Sequence, residues 1–350
     1  MSVTAMKKRV ELPLLKPLYS TYHYQGSCTA VLRNNPTIKN WFLNNSMILS
    51  CNRSFLGGYT TPEITVLQSN FYDCPYIEKI MVSTEFAKGY INPIIRAMLD
   101  KGIYVAFSNV DDYYIEGKSW YKERHFSHDG LLCGYDRNDK TYCMYAYDSK
   151  WMYRKFWTPQ SGFNKGMFAM RKQGSFTYIA GLRVKKDKIE FSPETVLEKL
   201  KKCIGSDLEK YPFSGLGNVY GMVVHKYISE YVMRLYRGDI PYERMDRRVF
   251  RVIWEQKVVM LERIIKIEQV MGFDNKISTM YAPLVKDADL LRMLYASHHM
   301  KRRDSLLPVI SKKLIELDTK ERVVLTELIE KMEKEFEKNA VELSQKQDAK

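Results

Sequence analysis

The strongest constraint on this chain is a change of period. Over roughly the first 190 residues hydrophobicity alternates in short, aromatic-rich runs; over the last 160 it recurs every three or four residues. "GIYVAFSNVDDYYI" (102–115), "LLCGYD" (131–136), "TYCMYAYD" (141–148) and "SFTYIAGLRV" (175–184) read as strands. The turn signals "EGKS", "DRNDK", "KQGS" and "KKDK" separate them. Helices are expected over 28–50, interrupted at Pro36, and over 84–101. A further helix is expected at "TPQSGFNKGMFAMRK", with Thr158 as N-cap and Pro159 at its first position. From "SPETVLEKLKKCI", with Ser192 as N-cap and Pro193 behind it, the pattern is helical. Apolar-periodic stretches follow at about 216–236, 243–271, 284–298, 302–317 and 319–347. The reading is therefore α+β, with a mixed domain over 1–190 and an all-helical domain over 191–350.

Composition narrows the function classes. Hydrophobic residues make up 45% and aromatics 13%, enough for a packed core. No apolar run reaches the roughly 18 residues of a membrane span, and the N-terminal residues carry no secretory h-region. A cytoplasmic protein with no membrane partner is expected. The six cysteines (28, 51, 74, 133, 143 and 203) include no C-x-x-C pair, so free thiols are expected and neither metal nor cofactor is. The net charge of +14 favours an acidic partner. "MDRRVFR" (245–251) and "HHMKRR" (298–303) are basic clusters, but no helix-turn-helix spacing or RNA-binding signature surrounds them, so nucleic acid is not the expected partner.

The stretch "HFSHDGLLCGYDRNDKTYCMYAYDSKW" (125–151) reads as a hairpin turning at 137–139. A three-residue loop pairs Asp136 with Lys140 and sets His128 opposite Asp148; a two-residue loop shifts this by one. A carboxylate beside an imidazole suits nucleophilic catalysis, while the plainer alternative is a histidine satisfied at a strand edge. His125 competes for the role but faces the other way from His128 if both lie in the strand. The best-placed nucleophile is Cys28, where "QGSC" reads as a turn opening a helix, because unpaired N–H groups there stabilise a thiolate. Gln25 or a nearby tyrosine such as Tyr22 is the candidate side-chain donor to an oxyanion.

An early Gly-Ser-Cys opening a helix, a distant His-x5-Gly-Tyr-Asp and an aspartate ending the next strand resemble papain-fold cysteine peptidases. The likeness covers residues 19–160 and is strongest to the double-glycine peptidases that process bacteriocins. It extends to peptidase-like proteins of non-ribosomal peptide and other antibiotic clusters, including the butirosin-acyltransferase and closthioamide amide-synthetase type. The resemblance implies a papain-like fold and a triad of Cys28, His128 and Asp148. It also implies transfer of an acyl chain from the phosphopantetheine arm of an acidic carrier protein, through a cysteine thioester, to an amine or diamine. The family's oxyanion glutamine falls at Tyr22 here, with Gln25 three residues before the cysteine. Asp111, Asp112 and Glu116 are candidates for holding a cationic amine. A hydrolytic peptidase on the same triad and a non-catalytic peptide or small-molecule binding protein are the alternatives.

Overall fold

The computed structural model describes residues 7–32, 35–57, 61–70, 72–172, 177–205 and 217–348. In chain order the strands are β1 (Arg9–Glu11), β2 (Leu49–Asn52), β3 (Thr65–Val66), β4 (Ile77–Ser83), β5 (Tyr104–Asp111), β6 (Ser127–Asp136), β7 (Thr141–Tyr147), β8 (Tyr153–Pro159), β9 (Tyr178–Val184) and β10 (Asn218–Tyr220). The helices are α1 (His23–Leu32), α2 (Pro36–Asn45), α3 (Ile91–Asp100), α4 (Gln160–Lys172), α5 (Pro193–Ile204), α6 (Val223–Arg237), α7 (Val249–Met271), α8 (Lys276–Lys301) and α9 (Leu306–Asp348). The class is α+β, with antiparallel sheets and a helical C-terminal region. No described helix is long and apolar enough to cross a membrane.

The chain divides into two compact units, residues 1–39 with 69–189 and residues 40–68 with 190–350. A single boundary near residue 190 does not describe this. Residues 40–68 group with the helical unit because β2 pairs with β3 and with β10, about 170 residues later.

The first unit is built on an antiparallel sheet in the order β4-β9-β5-β6-β7-β8, with β1 also pairing with β6. Ile95 and Leu99 of α3 and Phe163 and Met167 of α4 share a buried cluster with Val105, Phe107, Leu132, Tyr142 and Met144 of the sheet. Burying a large apolar side chain contributes about 1.5–3 kcal/mol, so this layer dominates the unit's stability. α1 lies against β6 and β7. It begins at His23, five residues earlier than expected: the Gly26 N–H already donates to the Tyr22 carbonyl. Thr158 and Pro159 end strand β8 rather than capping α4, because their backbone is taken up by pairing with Tyr142 and Thr141. The turn expected at 172–175 and the first residues of the strand expected at 175–184 fall largely outside the described residues.

In the second unit Ser192 caps α5 as expected, its hydroxyl accepting from the Thr195 N–H, with Pro193 at the first helical position. The stretch 302–317 from Leu306 onward and the stretch 319–347 belong to one continuous helix, α9, with Thr319 donating to the Ile315 carbonyl inside it. Buried Arg263 of α7 donates to the carbonyls of Phe42, Leu43 and Ser46, satisfying the C-terminal end of α2. Lys257 and Glu321, each 1% exposed, form an ion pair at 2.6 Å. Lys257 also donates to Gln256 and to Nε2 of His225.

Candidate functional site

β5 and β6 run antiparallel, with Val110 opposite His128 and Asp111 opposite Ser127. The chain leaves β5 in a tight turn at 112–114, where the Asp111 side chain accepts from the Tyr113 N–H. Asp112 follows at the strand end and is 2% exposed. Its Oδ2 meets Nδ1 of His128 in a short hydrogen bond, and its Oδ1 lies 3.4 Å from Nζ of Lys118. Lys118 is itself buried. Burial pushes its pKa down, while Asp112, Asp129 and Asp148 pull it back up.

Helix α4 presses this turn into place. Gly162 and Gly166 sit one helical turn apart on the same face. A Cβ at Gly162 would lie 2.4 Å from the Tyr114 carbonyl oxygen, and one at Gly166 would lie 2.8 Å from that of Asp111. The two glycines let the helix backbone approach the loop that carries Asp112.

The ring of His128 is 24% exposed and touches the rings of Phe126 and His23, at centroid distances of 4.7 and 4.9 Å. His23 starts α1 and is enclosed by His128, Tyr147 and Tyr153. Its Nε2 is buried without a hydrogen-bond partner among the described residues. Burial, then the positive fields of Lys118 and His128, hold its pKa well below the usual histidine range, so it is neutral at physiological pH. The Tyr153 hydroxyl donates to the His23 carbonyl and lies 3.2 Å from the Ser27 hydroxyl, which stands on the same face of α1.

Beside this group is a cavity of about 160 Å³ lined by Tyr24, Ser27, Tyr72, Ser108, Asp129 and Tyr178, among others. The β5–β6 register slips between Phe107 and Val110, and Asn109 takes a left-handed φ of 53°. The Asn109 N–H donates to Asp129, and the Ser108 hydroxyl is buried without a hydrogen-bond partner among the described residues. Burial raises the pKa of the Asp129 carboxyl, against lowering by the Asn109 N–H, His128 and Lys118.

The triad expected from the sequence is not assembled in this geometry. The partner of His128 is Asp112. Asp148 instead accepts from the backbone N–H groups of Lys150 and Met152 and pairs with Arg154, closing its own turn. The loop between β6 and β7 has four residues, with Asp136 opposite Thr141, and pairing between the strands ends at Leu131 and Tyr145.

Cys28 lies five residues inside α1 and is fully buried. Five residues rotate it about 140° away from His23, which faces His128. Burial pushes its thiol pKa well up, with Cys74 and Asp73 adding to the effect. Gln25 is also buried and donates to Ser69 at 2.6 Å, and the Tyr22 ring stacks on Tyr24.

Of the acids offered for an amine, Asp111 is used by the Tyr113 and Phe126 N–H groups and by His125 at 2.7 Å. Asp112 holds His128 and Lys118. Glu116 is exposed. His23, Lys118, Ser108 and Asp129 were not on the sequence-derived list. The signal in the sequence is two adjacent acids, Asp111 and Asp112, at the end of one strand, facing His125 and His128 at the start of the next across a chain reversal.

No family model matches this chain, and no curated protein matches its sequence.

Proposed function

We propose that this chain is an acyltransferase of papain-like design that forms amide bonds by general-base catalysis, without a cysteine thioester. The supporting observation is the buried Asp112 carboxylate on Nδ1 of His128, beside the start of α1. The carboxylate fixes the ring and favours the imidazolium that forms when the other nitrogen takes a proton. An acceptor amine next to His128 attacks the carbonyl carbon of an acyl thioester. The C–N bond forms, His128 takes the proton from nitrogen, the C–S bond breaks and the proton passes to the leaving thiolate. The positive end of the α1 dipole favours the negative charge that develops on the carbonyl oxygen. An acidic acyl carrier suits the net charge of +14.

A second reading, a small-molecule binding domain on the same scaffold, is favoured by one observation: a neutral histidine, His23, and not a thiol, faces His128.

The test is intact-protein mass spectrometry with an acyl-loaded carrier or simple acyl thioester and a diamine. Amide should form with no protein adduct. Cys28→Ala should keep the rate, and His128→Gln should lose about 10²–10⁴-fold. An adduct lost in Cys28→Ala would restore the thioester route, and release of free acid alone would make the protein a hydrolase. Absence of any turnover alongside ligand binding would favour the binding domain.

A further inference from the structure

The basic stretches 245–251 and 298–303 play no part in the acyl-transfer reading, yet they meet in the second unit. Arg247, His298 and Arg302 all bear electrostatically on His299. Next to them, between the end of α6 and the end of α8, is a pocket of about 190 Å³.

Its apolar wall is Leu235, Ile240 and Pro241, and its polar members are His298, Arg302 and Asp304. Arg302 is a held cation. Its guanidinium lies 3.8 Å from the centroid of the Tyr242 ring, and its backbone is left-handed, with φ 47°. The Tyr242 hydroxyl donates to the His299 carbonyl, which fixes the ring under the guanidinium. His298 is 1% exposed, and its Nδ1 is buried with no hydrogen-bond partner among the described residues. Asp304 stands 3.6 Å from that nitrogen, at ion-pair distance but beyond hydrogen-bond reach, and its side chain is 70% exposed. Among the described residues the ion pair given for Asp304 is this one to His298, and none joins it to Arg302 two positions before.

A pocket with a fixed cation, a separate carboxylate, a buried unpartnered imidazole nitrogen and an aliphatic wall matches a ligand bearing both charges and an apolar side chain. We propose that this pocket binds an apolar α-amino acid. Its carboxylate pairs with Arg302, its ammonium with Asp304, its side chain lies on Leu235, Ile240 and Pro241, and one of its polar groups satisfies Nδ1 of His298. A plain anion such as phosphate fits less well, because Asp304 would repel it. The proposal is independent of the acyl-transfer reading, whose residues all lie in the first unit.

Calorimetric titration of the full chain with L-leucine tests it, beside isocaproate (no ammonium), isoamylamine (no carboxylate) and inorganic phosphate. Leucine should bind and shift the His298 ring signals in NMR spectra. Each half-ligand should bind about tenfold more weakly or worse, since a charged hydrogen bond is lost. Asp304→Asn changes an exposed side chain, and Arg302→Gly removes the guanidinium while relieving the left-handed backbone. Each should weaken leucine by a similar factor with the fold retained. Absence of heat and of any shift with leucine overturns the proposal. So does equal binding by the half-ligands, leucine binding unaltered in both variants, or binding of phosphate with leucine silent.

Discussion

Replacing Asp112 by Asn tests both the chemistry and the electrostatics of the first unit. The substitution keeps the shape but removes the charge that two groups depend on. His128 loses the carboxylate on its Nδ1, and Lys118, whose side chain is 2% exposed, loses its nearest counter-charge. Stripping one partner from a buried ion pair costs about 3–5 kcal/mol, because the remaining charge has no solvent to compensate it. For a unit of this size each kcal/mol lowers Tm by roughly 2–4 °C, so Asp112→Asn should lower it by about 6–20 °C. On the proposed acyl-transfer reading the amide-forming rate should fall by about 10²–10⁴. The double variant Asp112→Asn with Lys118→Met removes the stranded charge and should recover most of the stability and none of the rate. His128→Gln should lose the rate alone. Thermal unfolding followed by circular dichroism and a thioester-to-amide assay give the two readouts. If Asp112→Asn unfolds within about 1 kcal/mol of the parent, Lys118 is not held as described. If the double variant regains activity, Asp112 is not what makes His128 a base.

Acid should destabilise the second unit through His225. Its Nδ1–H donates to Asp318, its Nε2 accepts from Lys257, and burial first, then Lys257, depresses its pKa. Its contribution is present above the unfolded value of about 6.5 and is lost as pH falls from there through the folded pKa, at up to about 1.4 kcal/mol per pH unit. Urea unfolding at several pH values should show that slope in the parent and a shallower one in His225→Gln; equal slopes would exclude this origin. Glu321→Gln should cost about 3–5 kcal/mol by stranding Lys257, read by denaturant titration; a loss below about 1 kcal/mol would contradict this. Gly162→Ala should lower the His128-dependent rate, because a Cβ 2.4 Å from the Tyr114 carbonyl pushes α4 off the Asp112 turn. The expected stability loss is about 1–3 kcal/mol, and a parental rate in a destabilised variant would separate packing from positioning.

The β6–β7 hairpin was legible because alternation and a polar turn are local signals. The partner of His128 was not, because cross-hairpin counting assumes that pairing continues. Here the register slips between Leu132 and Gly134, and below Leu131 the strand keeps only its β5 neighbour. Counting along β5 and β6 gives Val110 opposite His128, which brings the end of β5, and therefore Asp112, to the histidine. The helix start was misread for a related reason. "YSTYHYQGS" carries weak helix formers and a Gly-Ser pair that imitates a turn. The helix runs through that pair because Gly26 is needed where α1 meets Tyr153: a Cβ there would lie 2.6 Å from the ring.

The helix start and the partner of His128 together bear on mechanism. A thiol gains reactivity at a helix terminus through position alone, and five residues further along the same helix it is an ordinary buried side chain. Cys28 has the second environment and His23 the first. On the proposed acyl-transfer reading the nucleophile is therefore the acceptor amine, because the α1 residue whose ring touches His128 is an imidazole and Cys28 is buried elsewhere.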